Sequence, residues 1–425
     1  MNAVRRPARP GMIRLLLLSV LVGTVGGLVG VAYLQLLAFV MRWLWPDQES
    51  RFVHWALLIG VGVLISIIFK LAGDPGETGM FINHVHVGGG PGRLRPLISL
   101  VPVSLLGIGV GGGVGPEPPL MQTTGTVGSL IGRRLALSPH ELRVLTVTGM
   151  ASGLTALFAA PLGAAVFALE FLHRKGLEYY DALLPACAGS LTSYGVYVLA
   201  TGRGLGPVWP FPAGPLRLEP VDLLVGAVAG VGGAALAYVF GGIIWACSRL
   251  FTLMPSWLRP PAAGLALGAL AFPFPFGLTF GEAHLGELSM PEVPISVLLL
   301  AAGGHLLGAA VTLAGGWRGG IIIPMFLVGY CLGRSAELWN GDTNRELVLA
   351  TAMMVACNVG MTKTPLGSTL VVAQMTGVWS VPPMLIAALA SLALTDGVAF
   401  VGNQRSRDVP VGPPPLPPTG TAPPR

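Results

Sequence analysis

Gly115-Pro-Glu-Pro-Pro119 and Gly320-Ile-Ile-Ile-Pro324 are two versions of one pattern. Each is a G-x-x-x-P preceded by glycines and followed by a short apolar run, ending at Gly132-Arg133 and Gly333-Arg334. Further on, Ala160-Pro-Leu-Gly-Ala164 parallels Thr364-Pro-Leu-Gly-Ser368. Pro324 lies 205 residues after Pro119, and Pro365 lies 204 after Pro161. Two motifs that keep nearly one offset mark a duplicated unit of about 200 residues. Each G-x-x-x-P sits just before an apolar run and so reads as a helix start. Its proline occupies the first turn, where the missing N–H costs nothing.

The sequence around these motifs is membrane material. Of 425 residues 53% are hydrophobic and only 10% charged, with a mean hydropathy of +0.72. A soluble domain carries about a quarter charged residues, so this chain has too little polar surface to cover itself. Apolar runs of about 18 residues or more, the length that crosses hydrocarbon, recur from Met12 to Val401. The 61 glycines and 37 prolines fall largely inside them. Backbone broken in this way survives in a bilayer only within protein or beside water, and short, interrupted segments at matching places in two halves point to a transport site. The expected fold is an all-α polytopic membrane protein with broken and re-entrant helices. Residues 12–201 form the first repeat, 202–220 a Gly/Pro-rich linker and 221–405 the second, with tails at 1–11 and 406–425, the latter Pro-rich and disordered.

The formal charge of +6 is not a nucleic-acid signal. Basic residues gather in the tails and short loops, Arg5, Arg6, Arg9 and Arg14 at one end and Arg405 and Arg407 at the other. This bias places both termini in the cytoplasm and the protein in the plasma (inner) membrane. Cys187, Cys247, Cys331 and Cys357 stand in apolar segments without C-x-x-C spacing and read as buried thiols.

A helix N-terminus presents unpaired N–H groups and a partial positive charge. Two such ends buried together would hold an anion without a full cation, weakly enough to let it leave again. Glu117 stands in the middle of the first motif, where Ile322 stands in the second. An acid inside apolar sequence is costly and marks function. Here the carboxylate is itself an anion able to occupy the permeant ion's place, and protonation would release it.

These residues resemble a known family. Gly115-Pro-Glu-Pro-Pro119 with Gln122 is similar to the G-[KR]-E-G-P-x-x-Q motif of CLC chloride channels and transporters, and Gly320-Ile-Ile-Ile-Pro324 to their G-x-F-x-P motif. Phe158-Ala-Ala-Pro-Leu162 with Glu170, and Thr364-Pro-Leu366 with Gln374-Met-Thr376, resemble two further helices of the family. The resemblance implies two inverted repeats, a homodimer with a pore in each subunit, and chloride or another small anion held by helix N-termini. Protons are a possible second substrate, membrane lipid is the surroundings, and no cofactor is implied. Glu117 takes the gating position. The anion would be held around Gly115, Pro116, Gly320, Ile321 and Ile322, with the last two isoleucines offering N–H groups. The family's cytoplasmic regulatory domains have no room after Arg405.

The sequence also departs from the family. Gly76 falls where the serine of the G-S-G-I-P motif is expected, with Thr78 as a substitute hydroxyl, and Gln404 falls where a tyrosine closes the inner side. Pro116 and Pro118 replace a basic residue and a glycine and stiffen the gate. Phe171 stands where exchangers carry an inner, proton-passing glutamate, next to Glu170.

Among other polar residues, His173 and Lys175 read as membrane-interface charges, and Glu170 as an ion-pair partner for an arginine. His305 and Lys363 face a vestibule or snorkel. His84-Val-His86 and Glu282-Ala-His284 read as loop, and Arg133 and Arg334 as residues near carbonyls at the ends of the paired helices. A membrane-embedded enzyme would need a nucleophile–base pair or metal ligands, and none of the seven histidines is so spaced. A cation carrier would need clustered carboxylates. The expected function is anion transport, as a Cl-/H+ exchanger or, alternatively, a passive channel.

Overall fold

The computed structural model describes residues 11–45, 51–174, 179–211, 217–274, 276–290, 292–341 and 346–404. The basic residues Arg5, Arg6, Arg9, Lys175, Arg405 and Arg407, residues 212–216 of the linker and the tail after 404 lie outside the described residues.

The described residues fold into α-helices and a short 3-10 turn, with an isolated two-residue bridge between Gly115 and Gly320 and no longer strand. Eight helices precede the linker. They are α1 (Met12–Leu44), α2 (Arg51–Ala72), α3 (Thr78–Gly88), α4 (Arg95–Gly109), α5 (Glu117–Arg134), α6 (Pro139–Phe158), α7 (Pro161–Glu170) and α8 (Leu183–Thr201). Eight follow it, α9 (Pro220–Thr252), α10 (Arg259–Leu270), α11 (Glu282–Leu288), α12 (Ile295–Ala314), α13 (Ile322–Asn340), α14 (Glu346–Thr362), α15 (Pro365–Thr376) and α16 (Val381–Leu394). The two series match in order, and α1 and α9 are both 33 residues long.

Among the described residues five helices are long and apolar enough to cross a membrane: α1, α2, α8 with the turn before it, α9 and α12. Their outer faces carry bare apolar side chains such as Leu17, Trp43, Phe52, Leu191 and Val228, which water would not tolerate and lipid would. Inside this wall lie the short helices. Nearly every residue of α6 is buried. Helix α5 buries Gln122, Thr123, Thr124, Thr126 and Ser129, too many polar groups for a lipid-facing helix. Their hydroxyls turn back on carbonyls, Thr123 on Pro119 (2.7 Å) and Thr126 on Gln122 (2.6 Å), which satisfies them without water.

Two segments read as loop are helical. Residues 78–88, with His84 and His86, form α3, and Glu282 opens α11. Short Gly-flanked apolar pieces lack a lone helix's stability, and burial between neighbours supplies it here. The four cysteines are free, Cys331 and Cys357 buried and the other two half-buried.

Candidate functional site: the junction of two helix tips

The loops entering α5 and α13 meet head-on. Gly115 N–H donates to the Gly320 carbonyl (2.8 Å), and Gly320 N–H donates to the Gly115 carbonyl (2.7 Å), an antiparallel bridge. The two bridged glycines are the equivalent residues of the repeated motif. Their N–H groups are therefore spent on one another and not on an anion. What they supply is space. A Cβ on either glycine would overlap the carboxylate of Glu117, and on Gly320 also the ring of Pro118.

Glu117 is wholly buried. Its Oε1 accepts the N–H of Ile323 at 2.5 Å, in the first turn of α13, while Oε2 is buried without a partner. The acid of one repeat thus sits on the helix tip of the other. The two tips are unequal donors. Pro116, Pro118 and Pro119 carry no N–H, which strips the first turn of α5 of all amides but that of Glu117. Helix α13 keeps two amides without an intrahelical acceptor, those of Ile322 and of Ile323, the latter bonded to Glu117, ahead of its first intrahelical bond, from Met325 to Ile321 (2.9 Å). Ile323 is absent from the residues singled out in the sequence. It stands one place from the proline, where the amide of a helix's second residue is still free, and counting free amides instead of motif letters finds it. Pro116 caps α5 through its carbonyl, which accepts Leu120 N–H (3.0 Å), and can donate nothing.

A cavity of about 300 Å³ opens beside the junction. Gly76, Thr78, Pro118, Phe171, Ile321 and Ile322 are on its wall. Gly76 adopts φ +82°, a conformation that disfavours a side chain, and Thr78 accepts from the Gln122 amide (3.2 Å), which leaves its O–H hydrogen to donate. Gln404 plays another part. Its side-chain N–H groups go to the carbonyls of Phe171 (3.0 Å) and Thr362 (2.8 Å), so it braces the cavity wall instead of presenting a donor to it. Phe171 stacks on Phe167 with ring centroids 5.9 Å apart, leaving an apolar side chain where a proton carrier was sought.

Several polar residues are also reassigned. Among the described residues Glu170 pairs with no arginine. Its Oε1 accepts Leu366 N–H (3.1 Å) and its Oε2 accepts Gly367 N–H (2.7 Å), capping α15. Lys363 neither snorkels nor lines the cavity. It is buried and donates to the carbonyls of Gly360 (2.9 Å) and Thr395 (2.7 Å), closing the C-terminal ends of α14 and α16. His305 is sealed within the fold, and His173 is buried against the rings of His86 and Tyr179. His86 contacts Tyr179 and the Leu172 carbonyl. Arg133 donates to carbonyls of the α3–α4 loop, Gly90 at 2.8 Å, and Arg334 lies inside α13, near Glu337. Among the described residues no group of three metal-ligating side chains comes together.

Comparison with known proteins places this architecture. Residues 61–396 match the family model Voltage_CLC, described as "Voltage gated chloride channel". The chain is 26% identical over 430 residues to the "Chloride/fluoride channel protein" of Pseudomonas syringae pv. tomato, covering 95% of this chain and 90% of that one. It is 24% identical over 421 residues to the "H(+)/Cl(-) exchange transporter ClcA" of Yersinia pseudotuberculosis, covering 92% and 85%. In fold it is similar to a slow cyanobacterial Cl-/H+ antiporter, with a TM-score of 0.79 at 20% identity, covering 90% of this chain and 94% of that one. It also resembles a CLC-type fluoride/proton antiporter, with a TM-score of 0.78 at 23% identity, covering 92% and 98%. The chain belongs to the voltage gated chloride channel (CLC) family, integral membrane proteins that move anions and are not enzymes.

Proposed function

We propose that the protein exchanges chloride for protons across the plasma membrane, with both termini in the cytoplasm and Glu117 as the gate. The observation that carries this reading is the Glu117 carboxylate docked on Ile323 N–H with its second oxygen unpartnered. A carboxylate that fills a helix-tip site competes directly with a permeant anion for the same amides. Protonation removes its charge, weakens its hold on the tip and frees the site, so anion movement rises as pH falls. Chloride then binds in place of the carboxylate at the amides of Ile322 and Ile323, reached through the cavity past Thr78 and Ile321.

A passive channel is the second reading, and Phe171 favours it, because an apolar ring at the cavity wall carries no proton. The test is chloride efflux from liposomes clamped with a potassium ionophore, with external pH recorded at the same time. Exchange predicts proton uptake against its gradient, driven by chloride efflux. A channel gives efflux with no coupled pH change. Glu117→Gln keeps anion movement and loses its pH dependence under both readings, and a variant with the full pH response removes Glu117 from the gate. Replacing chloride by fluoride or nitrate sets the anion preference.

A further inference from the structure

The cavity beside the junction carries one guanidinium. Arg318 lies on its wall, two residues before Gly320 and three before Ile321. Its Nη2 donates to Asp74 Oδ1 at 2.5 Å, its guanidinium stands 5.6 Å from the centre of the Phe69 ring, and its Nε is buried without a partner. The arginine side chain is 18% exposed and the aspartate 57%. Asp74 has a second task, since the same Oδ1 accepts Gly76 N–H (2.9 Å) and forms the turn that leads into α3. The charge is thus held at the cavity wall, on the segment that runs directly into the donor-bearing tip of α13. It is neutralised from one side only, by an acid that sits further out in water.

We infer that Arg318 is a loading site for small monovalent anions at the mouth of the pathway, and that Asp74 competes with the incoming ion for the guanidinium. This inference rests on the transport reading above and names the residue that first meets the ion. A guanidinium binds an anion as a charge with several donors. One whose Nε is unspent and whose carboxylate partner is more than half exposed can exchange that partner for a halide, because water takes up the released carboxylate. Glu77, a carboxylate on the same wall, opposes filling of the cavity, and Arg318 offsets it. A charge at the mouth raises the local concentration of the opposite ion and so the rate of entry, without setting selectivity.

The pair allows a test by sign. Asp74→Asn keeps the oxygen that accepts Gly76 N–H and removes only the competing charge. Initial chloride efflux at low ionic strength should rise about threefold in Asp74→Asn and fall about threefold in Arg318→Gln, while Arg318→Lys retains most of the wild-type rate. The three should converge in about 1 M impermeant salt, where screening acts within about 3 Å. Chloride affinity of the purified protein, measured by calorimetry, should shift in the same two directions. If Asp74→Asn and Arg318→Gln both slow transport, or the effects ignore salt, the pair is a clasp for the α2–α3 loop and the inference fails. Should Arg318→Gln not fold, Asp74→Asn against wild type decides alone. A wild-type protein that moves no anion overturns the transport reading, and this one with it.

Discussion

Two of the places where the repeats meet carry a buried carboxylate each. At the first, Glu117 of α5 docks on the tip of α13 with one oxygen bonded and one orphaned. At the second, α7 passes α15, and Glu170 caps the tip of α15 with both oxygens. The repeat-equivalent residue, Gln374, returns the favour by accepting Gly163 N–H at 2.9 Å. The second crossing is reciprocal and closed, with Gly163 against the Val371 backbone and Gly367 against that of Phe167. The first is one-sided, because Ile322 stands where a second acid would be, and it borders a cavity. The same chemistry, a carboxylate on helix amides, makes a clamp where every acceptor is used and the space is filled. Where one oxygen is unspent and a cavity borders the neighbouring residues, the proposed function makes it a movable plug.

Gly320→Ala should break the first crossing most severely. Its new Cβ meets both the Glu117 carboxylate and the Pro118 ring. Overpacking of a buried site costs about 1–3 kcal/mol and can cost more, and loss of the bridge adds to it. Expected are a large fall in thermal stability in detergent and loss of transport. Gly115→Ala is the sharper probe, since the three atoms nearest its Cβ all belong to the Glu117 carboxyl. It should evict the gate and give anion movement without pH response. Glu117→Ala in the same chain should recover much of the lost stability, because it deletes the colliding atoms. If the double variant is no more stable than Gly115→Ala, the berth is not shaped by the carboxylate.

Next in size is a double dissociation. Glu170→Gln places an amide NH2 against one of two N–H donors, since both oxygens of Glu170 are in use, and should cost about 3 kcal/mol. Glu117→Gln loses less, because only Oε1 is engaged and an amide oxygen can replace it. The Glu170 variant should melt early yet keep the pH response of anion movement, and the Glu117 variant should melt near wild type and lose that response. A Glu170→Gln protein with normal stability and no pH response would make both crossings gates and end the contrast.

Much of the first crossing was legible in the sequence. The 205-residue spacing of Gly115 and Gly320 identified the two residues that bridge, because a duplicated unit places equivalent residues on its internal axis. The donor imbalance is legible too, in Pro116, Pro118 and Pro119, but it emerges only when the missing N–H of Pro119 is added to those of Pro116 and Pro118, whose first reading is stiffness. The second crossing was hidden. Glu170 and its partner Gly367 are 197 residues apart, and no local pattern states which helix tip an acid at the end of α7 will reach. Helix α3 escaped because Gly-rich sequence has weak intrinsic helicity and only burial holds it. The Gly/Pro-rich composition of the linker does not reveal that Trp209 and Phe211 donate N–H bonds to the carbonyls of Met375 and Thr376 (2.9 and 3.2 Å) and so close the end of α15.

The smallest expected effect tests whether the closed crossing is a clamp on both sides. Gln374→Ala removes one neutral acceptor and leaves Gly163 N–H at the start of α7 without its partner. A single neutral hydrogen bond is worth about 1 kcal/mol, so the loss of stability should be near a third of that in Glu170→Gln. The two residues act on the same pair of antiparallel helices, α7 and α15, and share the packing of Gly163 and Gly367. Their effects should therefore be less than additive in the double variant, since a crossing already loosened at one end has less to lose at the other. Strict additivity in the melting of the two single variants and the double would mean that the caps are independent. Glu170 would then be an ordinary helix cap, and the contrast between the two crossings would rest on the filled space around it alone.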